Sequence, residues 1–265
     1  DYQNALIYLQ KAFDINKKYG IEDIETSRIV YMIGLVYHHL KEHRKSLEYC
    51  HKALDIHIKL GIEDELTAKI SNIIGEDYYF LKKSENALEY CRNALCIHSQ
   101  LGIENSNTAI YNNNLYYVCY GLEKFQDALV YGINALEIRK RLENENITAD
   151  SYNNVGNAYF SLKEYQKALI YYQKALDHVK LGLVDSQTVL FYNNIGSVYN
   201  ACGEYQKALE YHLKALEIFE EKLEGDSTDL AFLYYSIGCN YHDMKEYHTA
   251  LDYYQKALDI HEKLE

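Results

Sequence analysis

The sequence has no proline in its 265 residues, an absence that favours long, uninterrupted helices. It has no apolar run close to the ~20 residues that span a bilayer and no signal-peptide pattern, so we expect no membrane association. Basic residues are also few, with 27 Lys and Arg against 39 Asp and Glu. The resulting net charge of −12 argues against nucleic acid or an anionic membrane as the main partner.

Signatures of catalysis are missing as well. The sequence contains no phosphate-binding loop, no nucleophile elbow and no pair of carboxylates placed in a plausible cleft. His57, His98 and His261 recur at one position of a repeat, which indicates repeat structure rather than metal binding. The adjacent His38 and His39 point about 100° apart on a helix and cannot form a site alone. We therefore expect no enzyme, no cofactor and no metal site.

The six cysteines are scattered and form no CxxC motif, which favours reduced thiols in a cytoplasmic protein. Cys50 and Cys91 share one position of the repeat, and Cys96 follows five residues after Cys91. We expect these thiols to be buried in the core.

The sequence does contain a repeat of 40 to 42 residues. Its most regular feature is a small residue at a fixed position. An Ala follows this residue seven positions later, and a position that usually holds glycine lies twelve positions before it. The small residue is Ala5, Ser46, Ala87, Ala128, Ala168, Ala208 or Ala250. The glycine position holds Gly34, Gly75, Tyr116, Gly156, Gly196 or Gly238. This spacing predicts two amphipathic helices per repeat, such as 148–162 and 164–180, that approach closely at the small residues.

Residues between the helices predict where each helix ends and the next begins. The second helix of most repeats ends at a Gly followed by an apolar residue, which predicts a left-handed C-cap at Gly20, Gly61, Gly102 and Gly182. An Asp, Asn or Ser follows, usually with a Thr after it, and either residue can cap the next helix. The first of these residues are Asp23, Asp64, Asn105, Asp185 and Ser227.

The pattern G-x-x-Y, then Ala, an aromatic and a second Ala resembles the tetratricopeptide repeat over the whole chain, as in Gly156, Tyr159, Ala168, Tyr172 and Ala175. The repeat length and the N-N-[VIL]-G phrases resemble the long repeats of kinesin light chain. The resemblance implies an all-α, right-handed superhelical solenoid of helix-turn-helix repeats, with 13 helices. Two departures stand out: the family's usual proline is absent, and Tyr116 in a glycine position predicts looser packing of the third repeat.

The register of the repeat predicts one solenoid domain made of seven segments. Residues 1–25 form the second helix of a truncated repeat with its turn, and repeats follow at 26–66, 67–107, 108–147, 148–187, 188–229 and 230–265. Neither end carries the polar capping helix that such arrays normally need, so we expect further domains of the same polypeptide.

One stripe of each first helix points away from its partner helix, and by the resemblance it lines a concave groove where ligands bind. An asparagine can pair with both the N–H and the C=O of a peptide unit, and tyrosines between asparagines offer apolar pockets. The predicted peptide-binding residues are Asn72, Asn113, Asn153, Asn157, Asn193, Asn200, Tyr31, Tyr79, Tyr117, Tyr120, Tyr235, Arg28 and Lys69. Asn113, Asn153 and Asn193 are predicted to form a ladder along the backbone of the ligand.

A second asparagine follows the first in three repeats, as Asn114, Asn154 and Asn194. For these three we favour a bond to a neighbouring helix or loop that fixes the stacking of repeats. The phrase from Gly156 to Tyr159 resembles the start of a carboxylate clamp. The neighbouring repeats lack the basic partners of a clamp, so we do not expect one.

Together these observations predict a protein–protein interaction scaffold that binds an extended segment of a partner protein. Two alternatives remain open. The chain could be an intracellular receptor for a signalling peptide, or the sensor or autoinhibitory arm of a larger multidomain enzyme.

Overall fold

The computed structural model describes residues 2–142, 145–179, 186–222 and 227–264. Across these residues the chain forms thirteen α-helices and no strand. The helices are α1 (Tyr2–Lys18), α2 (Ile24–His39), α3 (His43–Leu60), α4 (Glu65–Phe80), α5 (Ser84–Gln100), α6 (Ser106–Gly121), α7 (Phe125–Arg141), α8 (Glu145–Ser161), α9 (Tyr165–His178), α10 (Ser186–Ala201), α11 (Tyr205–Lys222), α12 (Thr228–Asp243) and α13 (Tyr247–Leu264). The predicted all-α class and two-helix repeat are confirmed.

The helices α2, α4, α6 and α10 begin two residues before the threonines that mark them in the sequence, and α8 begins three residues before Thr148. Asp64 is the N-cap of α4, and its side chain accepts a bond from the backbone N–H of Thr67 at 3.0 Å. The Thr67 hydroxyl in turn accepts from the Asp64 backbone N–H at 3.1 Å, which completes a capping box. Asn105 and Thr108 repeat this arrangement at α6. The acidic or amide residue is thus the cap, and Thr occupies the third helical position.

The predicted left-handed C-caps are present wherever the structure describes them. Gly20, Gly61 and Gly102 have φ of 65°, 64° and 64°, a conformation that costs glycine little. Gly182 and Asp185 lie outside the described residues. A second left-handed position, in the turn inside each hairpin, was not predicted. It holds Lys41, Lys82, Glu123, Lys163, Gly203 and Lys245.

The glycine position sets how closely the two helices of a hairpin approach. A Cβ added at Gly75 would lie 2.4 Å from the Cys91 sulfur on α5, so the contact leaves no space for a side chain. The small residues opposite are fully buried, including Ala87 and Ala94. In the third repeat Tyr116 is 2% exposed, while α7 carries the buried Gly132 where other second helices have a larger residue. The repeat has therefore exchanged the large and small partners.

The described helices belong to two compact units, Asp1–Leu142 and Glu143–Glu265. In the first unit, Val30, Leu47, Ile70 and Ile74 belong to the core between α2, α3 and α4. In the second unit, one core cluster contains Leu209, Phe219, Leu233 and Ile237, and another contains Tyr172 and Ile195. Among the described residues, no helix is both long and apolar enough to cross a membrane.

Candidate peptide-binding surface

We define the first-helix face as the side of α2, α4 and α6 in the first unit, and of α8, α10 and α12 in the second, that carries the predicted binding residues. Three of these residues are exposed: Arg28, Tyr117 and Tyr235. Seven are half-buried: Tyr31, Lys69, Tyr79, Asn113, Tyr120, Asn157 and Asn200. Three are buried: Asn72, Asn153 and Asn193. The aromatic and basic members therefore reach solvent more than the first asparagines do.

Asparagines of successive repeats bond to one another on this face. The Asn114 amide on α6 donates to Asn72 Oδ1 on α4 at 2.9 Å, and the Asn194 amide on α10 donates to Asn153 Oδ1 on α8 at 2.8 Å. For Asn114 and Asn194, the interpretation that the second asparagine joins neighbouring helices is confirmed. Asn72 and Asn153 each use their side-chain oxygen as the acceptor of that bond, so a ligand contact there would share or replace it.

The first unit has a cavity of about 170 Å³ between α4 and α6. Its lining includes Tyr79, Phe80 and Tyr117, together with the polar side chains of Glu76 and Asn114. Glu76 Oε1 accepts from the amides of Asn72 at 2.7 Å and Asn114 at 2.6 Å. The cavity therefore has aromatic walls and a hydrogen-bonded polar edge.

The second unit has a cavity of about 120 Å³ between α10 and α12. Leu190 and Phe232 line it and are 42% and 54% exposed. Asn193 lines it too and is only 3% exposed, yet its Oδ1 has no hydrogen-bond partner among the described residues. A buried amide oxygen without a partner is unfavourable, and a donor from a ligand would satisfy it.

The two basic residues of the predicted site are paired within their own helices. Arg28 lies 2.7 Å from Glu25, and Lys69 lies 2.9 Å from Glu65. Exposed pairs of this kind are weak, so both side chains can turn to a ligand at small cost. Asn157 does not offer its oxygen freely, since Oδ1 accepts from the Tyr172 hydroxyl at 2.7 Å.

A histidine–carboxylate cluster in the first unit was not foreseen. His38 Nδ1 and His43 Nδ1 lie 2.8 Å and 2.7 Å from Asp77 Oδ1, and His38 Nε2 lies 3.2 Å from Glu76 Oε2. Burial by itself lowers the pKa of His38, but the bonds to Asp77 and Glu76 outweigh it and raise that pKa to about 9. The available signal was Asp77 itself, which stands where four other repeats have Val36, Val118, Ala158 or Val198 and the sixth has Asn240.

Two other histidines and three of the cysteines are buried in the core, whereas two cysteines are exposed. Buried His57 and His98 contact the capping threonines of the next repeat, with Nδ1 lying 2.8 Å from Thr67 Oγ1 and 2.9 Å from Thr108 Oγ1 respectively. Cys50, Cys91 and Cys119 are buried, and burial raises the pKa of the Cys50 thiol to about 12. Cys96 and Cys202 are exposed, so the expectation of a buried thiol is wrong for Cys96.

Three solved structures illustrate what the fold is similar to. The first is the signal transduction ATPase with numerous domains and a tetratricopeptide repeat sensor from Pyrococcus horikoshii, at 17% identity and TM-score 0.74, covering 97% of this chain and 41% of that one. The second is a Rap protein complexed with Competence and Sporulation Factor, at 17% identity and TM-score 0.60, covering 98% and 85%. The third comprises kinesin light chain TPR-like repeats of Podosopora anserina, at 13% identity and TM-score 0.63, covering 77% and 99%.

The comparison of sequences is decisive for the family. Among curated proteins, none matches the chain significantly. The tetratricopeptide repeat model matches residues 25–95, 107–180 and 187–263, which is most of the chain. Together with the helical hairpins and their glycine and alanine positions, this match shows that the chain belongs to the tetratricopeptide repeat family, whose fold is a protein-interaction scaffold.

Proposed function

We propose that the chain binds an extended peptide segment of a partner protein on the first-helix face. The observation that carries this proposal is Asn193, whose buried Oδ1 lacks a partner among the described residues while the residue lines an open cavity. A backbone N–H of a peptide is the donor that fits this acceptor. The adjoining Leu190 and Phe232 are exposed apolar surfaces for a side chain next to that N–H.

The first unit offers exposed aromatic side chains beside a hydrogen-bonded polar edge in its own cavity. Tyr117 and Phe80 are 41% and 54% exposed, and both line the cavity between α4 and α6. Asn72 holds Asn114 and Glu76 in place through its hydrogen bonds and does not itself contact the ligand. Specificity comes from apolar side chains that enter the cavities, and orientation comes from the polar edges.

The lining of both cavities is mainly apolar, so salt should affect binding only weakly. A free signalling peptide and a segment of a partner protein present the same backbone to this face. These two sources differ at their ends, since a free peptide has a charged terminus that a segment inside a protein lacks.

A peptide-display screen, followed by calorimetry with the selected peptide, tests the proposal. The peptide is made with free and with blocked termini to separate the two sources. Asn193→Ala should weaken binding by about 0.5–1.5 kcal/mol, because one hydrogen bond is lost. Phe232→Ala should weaken binding in the cavity of the second unit through lost apolar contact, and Tyr117→Ala should do the same for a peptide bound in the cavity of the first unit.

Leu213→Ala is the matched control, because Leu213 is 38% exposed on the second helix α11. Asn153→Ala should lower the melting temperature more than the affinity, because it removes the bond from Asn194. Unchanged affinity in Asn193→Ala, Phe232→Ala and Tyr117→Ala together would refute binding on this face.

A further inference from the structure

Three side chains from three helices meet in the first unit with the donor set of a transition-metal site. His38 comes from the end of α2, His43 from the start of α3, and Asp77 from α4. One ligand atom from each lies within 4.8 Å of the other two. Imidazole nitrogens and a carboxylate oxygen are the ligands that zinc and similar divalent ions take in proteins.

The packing of the repeat does not require these residues. The position of Asp77 is mostly apolar elsewhere, with Val36, Val118, Ala158, Val198 and Asn240, and the position of His43 is mostly aromatic, with Ser84, Phe125, Tyr165, Tyr205 and Tyr247. A carboxylate that is 0% exposed in an apolar position is costly unless something compensates it. The two histidines compensate one oxygen, but Asp77 Oδ2 is buried and has no hydrogen-bond partner among the described residues.

The surroundings of the cluster also fit a metal site. Imidazoles that bind metals usually donate their other ring N–H to a carboxylate, which fixes the ring. His38 does so in this geometry, because its Nε2 lies 3.2 Å from Glu76 Oε2 while Nδ1 faces Asp77. Phe80 stacks on His43 with ring centres 4.7 Å apart, and the two imidazole side chains remain 13% and 17% exposed. The cluster is therefore shielded but accessible to an ion.

We propose that His38, His43 and Asp77 bind one divalent transition-metal ion of the zinc class. The ligand atoms are Nδ1 of each histidine, which releases its proton to solvent as the ion binds, and a carboxylate oxygen of Asp77, and water completes the coordination. Tetrahedral zinc with bonds of about 2.0–2.1 Å places its ligand atoms roughly 3.3 Å apart. The Nδ1–Oδ1 separations of 2.8 Å and 2.7 Å need to open only slightly to admit the ion. The proposal departs from the expectation, based on the repeat, that the chain has no metal site.

The experiment uses the full chain, freed of metal with a chelator and titrated with Co²⁺ and with Zn²⁺. We expect one equivalent of Co²⁺ to give the visible absorption of a four-coordinate ion, and Zn²⁺ to displace it. Calorimetry then gives the affinity for Zn²⁺, and the melting temperature should rise with bound ion. Absence of binding by the unmodified chain would overturn the proposal.

Two variants remove a ligand while restoring the residue that the repeat prefers, so each should fold. Asp77→Val and His43→Tyr should each weaken Zn²⁺ binding by about 100-fold or more, since loss of an outer partner alone costs about 10–100-fold. Glu76→Gln should weaken Zn²⁺ binding by about 10–100-fold, because the glutamine still accepts a hydrogen bond from His38 but more weakly than the carboxylate does.

The controls are His248→Ala, Cys96→Ser and Cys202→Ser, which alter exposed residues outside the cluster. These variants should bind Zn²⁺ as the unmodified chain does. Binding that survives in both Asp77→Val and His43→Tyr, or that is lost in Cys96→Ser or Cys202→Ser, would show that the ion binds elsewhere. The cluster would then be only a hydrogen-bonded group.

Discussion

Asp77 in the first unit and Asn240 in the second occupy the same position of the repeat, two residues after the glycine position. Each meets imidazole from the preceding hairpin. Asp77 lies at hydrogen-bond distance from His38 and His43, whereas the Asn240 amide lies 2.7 Å from Nδ1 of His212. The repeat thus places a polar pair at one point of its core twice, once with a carboxylate and once with an amide.

The charge of the partners and the depth of burial together decide the protonation of each histidine. Next to the carboxylates of the first unit the pKa of His38 is raised to about 9. In the second unit burial lowers the pKa of His212 to about 4. The neutral ring donates from Nε2 to the Asn193 carbonyl at 3.1 Å and accepts from Asn240 at Nδ1. The position two residues after the glycine can therefore face a charged imidazole when it holds Asp and a neutral, more deeply buried imidazole when it holds Asn.

Removing both histidines of the first unit should have the largest effect. His38→Phe with His43→Tyr uses residues found at these positions in the fourth repeat, Phe160 and Tyr165. The double variant leaves Asp77, 0% exposed, without its partners, which should cost about 3–5 kcal/mol of the free energy of unfolding. Adding Asp77→Val should restore most of this loss. Chemical denaturation measures both, and a cost below about 1 kcal/mol would mean that water reaches the carboxylate.

Acid should destabilise the second unit through His212. Its folded pKa of about 4 lies below the ordinary 6.5, so the unfolded chain binds the proton first as pH falls. The contribution of the neutral ring is complete above about pH 6.5 and is lost progressively toward pH 4. A shift of this size corresponds to about 3 kcal/mol.

His212→Tyr isolates this effect, because Tyr172 and Tyr254 occupy the same position in other repeats. The variant should show a flatter dependence of the free energy of unfolding on pH between 6.5 and 4. Parallel curves for the two proteins would show that His212 is not the group responsible.

Adding a methyl group at Gly196, beside His212, should lower the free energy of unfolding by less than the two changes above. A Cβ at Gly196 would lie 2.3 Å from His212 Cδ2, so Gly196→Ala forces the buried ring to move, at about 1–3 kcal/mol. Gly121→Ala is the control, because its added Cβ would meet Tyr79 at an ordinary 3.7 Å. There the better helix propensity of Ala should give a neutral or slightly stabilising change. Equal melting temperatures for the two variants would contradict the close approach at Gly196.

The periodic features were the ones that the sequence could predict. Glycine, alanine and capping positions such as Gly75, Ala87 and Asp64 recur in register, and each is where its spacing places it. The set of side chains that shares the first-helix face was likewise predictable, because helical periodicity fixes which side chains of a helix share a face.

Departures from the period were harder to predict, because they depend on contacts between repeats. The presence of a carboxylate at Asp77 makes sense only in the folded chain, where two other helices place His38 and His43 at hydrogen-bond distance from it. Asn72 and Asn193 occupy equivalent positions, yet Asn72 accepts a bond from Asn114 while Asn193 Oδ1 has no partner among the described residues. The sequence shows that these amides repeat, but their partners depend on which residue the adjacent repeat supplies.

The smallest effect concerns the left-handed position of the hairpin turn, which is glycine in only one described hairpin, that of α10 and α11 in the second unit. Lys82 in the first unit has φ 60°, and Gly203 in the second has φ 78°. A side chain costs about 1–2 kcal/mol in this conformation, but glycine also loses more freedom on folding. Lys82→Gly should therefore stabilise by about 0.5–1 kcal/mol, and Gly203→Lys should destabilise by a similar amount.

Both turn residues are exposed, so neither change alters the core. Lys83→Gly is the control in the next residue, where φ of −100° suits any side chain and glycine brings only its entropic cost. In thermal melting, Lys82→Gly should have the highest melting temperature of the four proteins. The unmodified chain should come next, and Gly203→Lys and Lys83→Gly should melt lowest. If Lys82→Gly melts no higher than Lys83→Gly, the left-handed turn imposes no strain on lysine, and Gly203 gives its hairpin no advantage over the hairpins that hold lysine there.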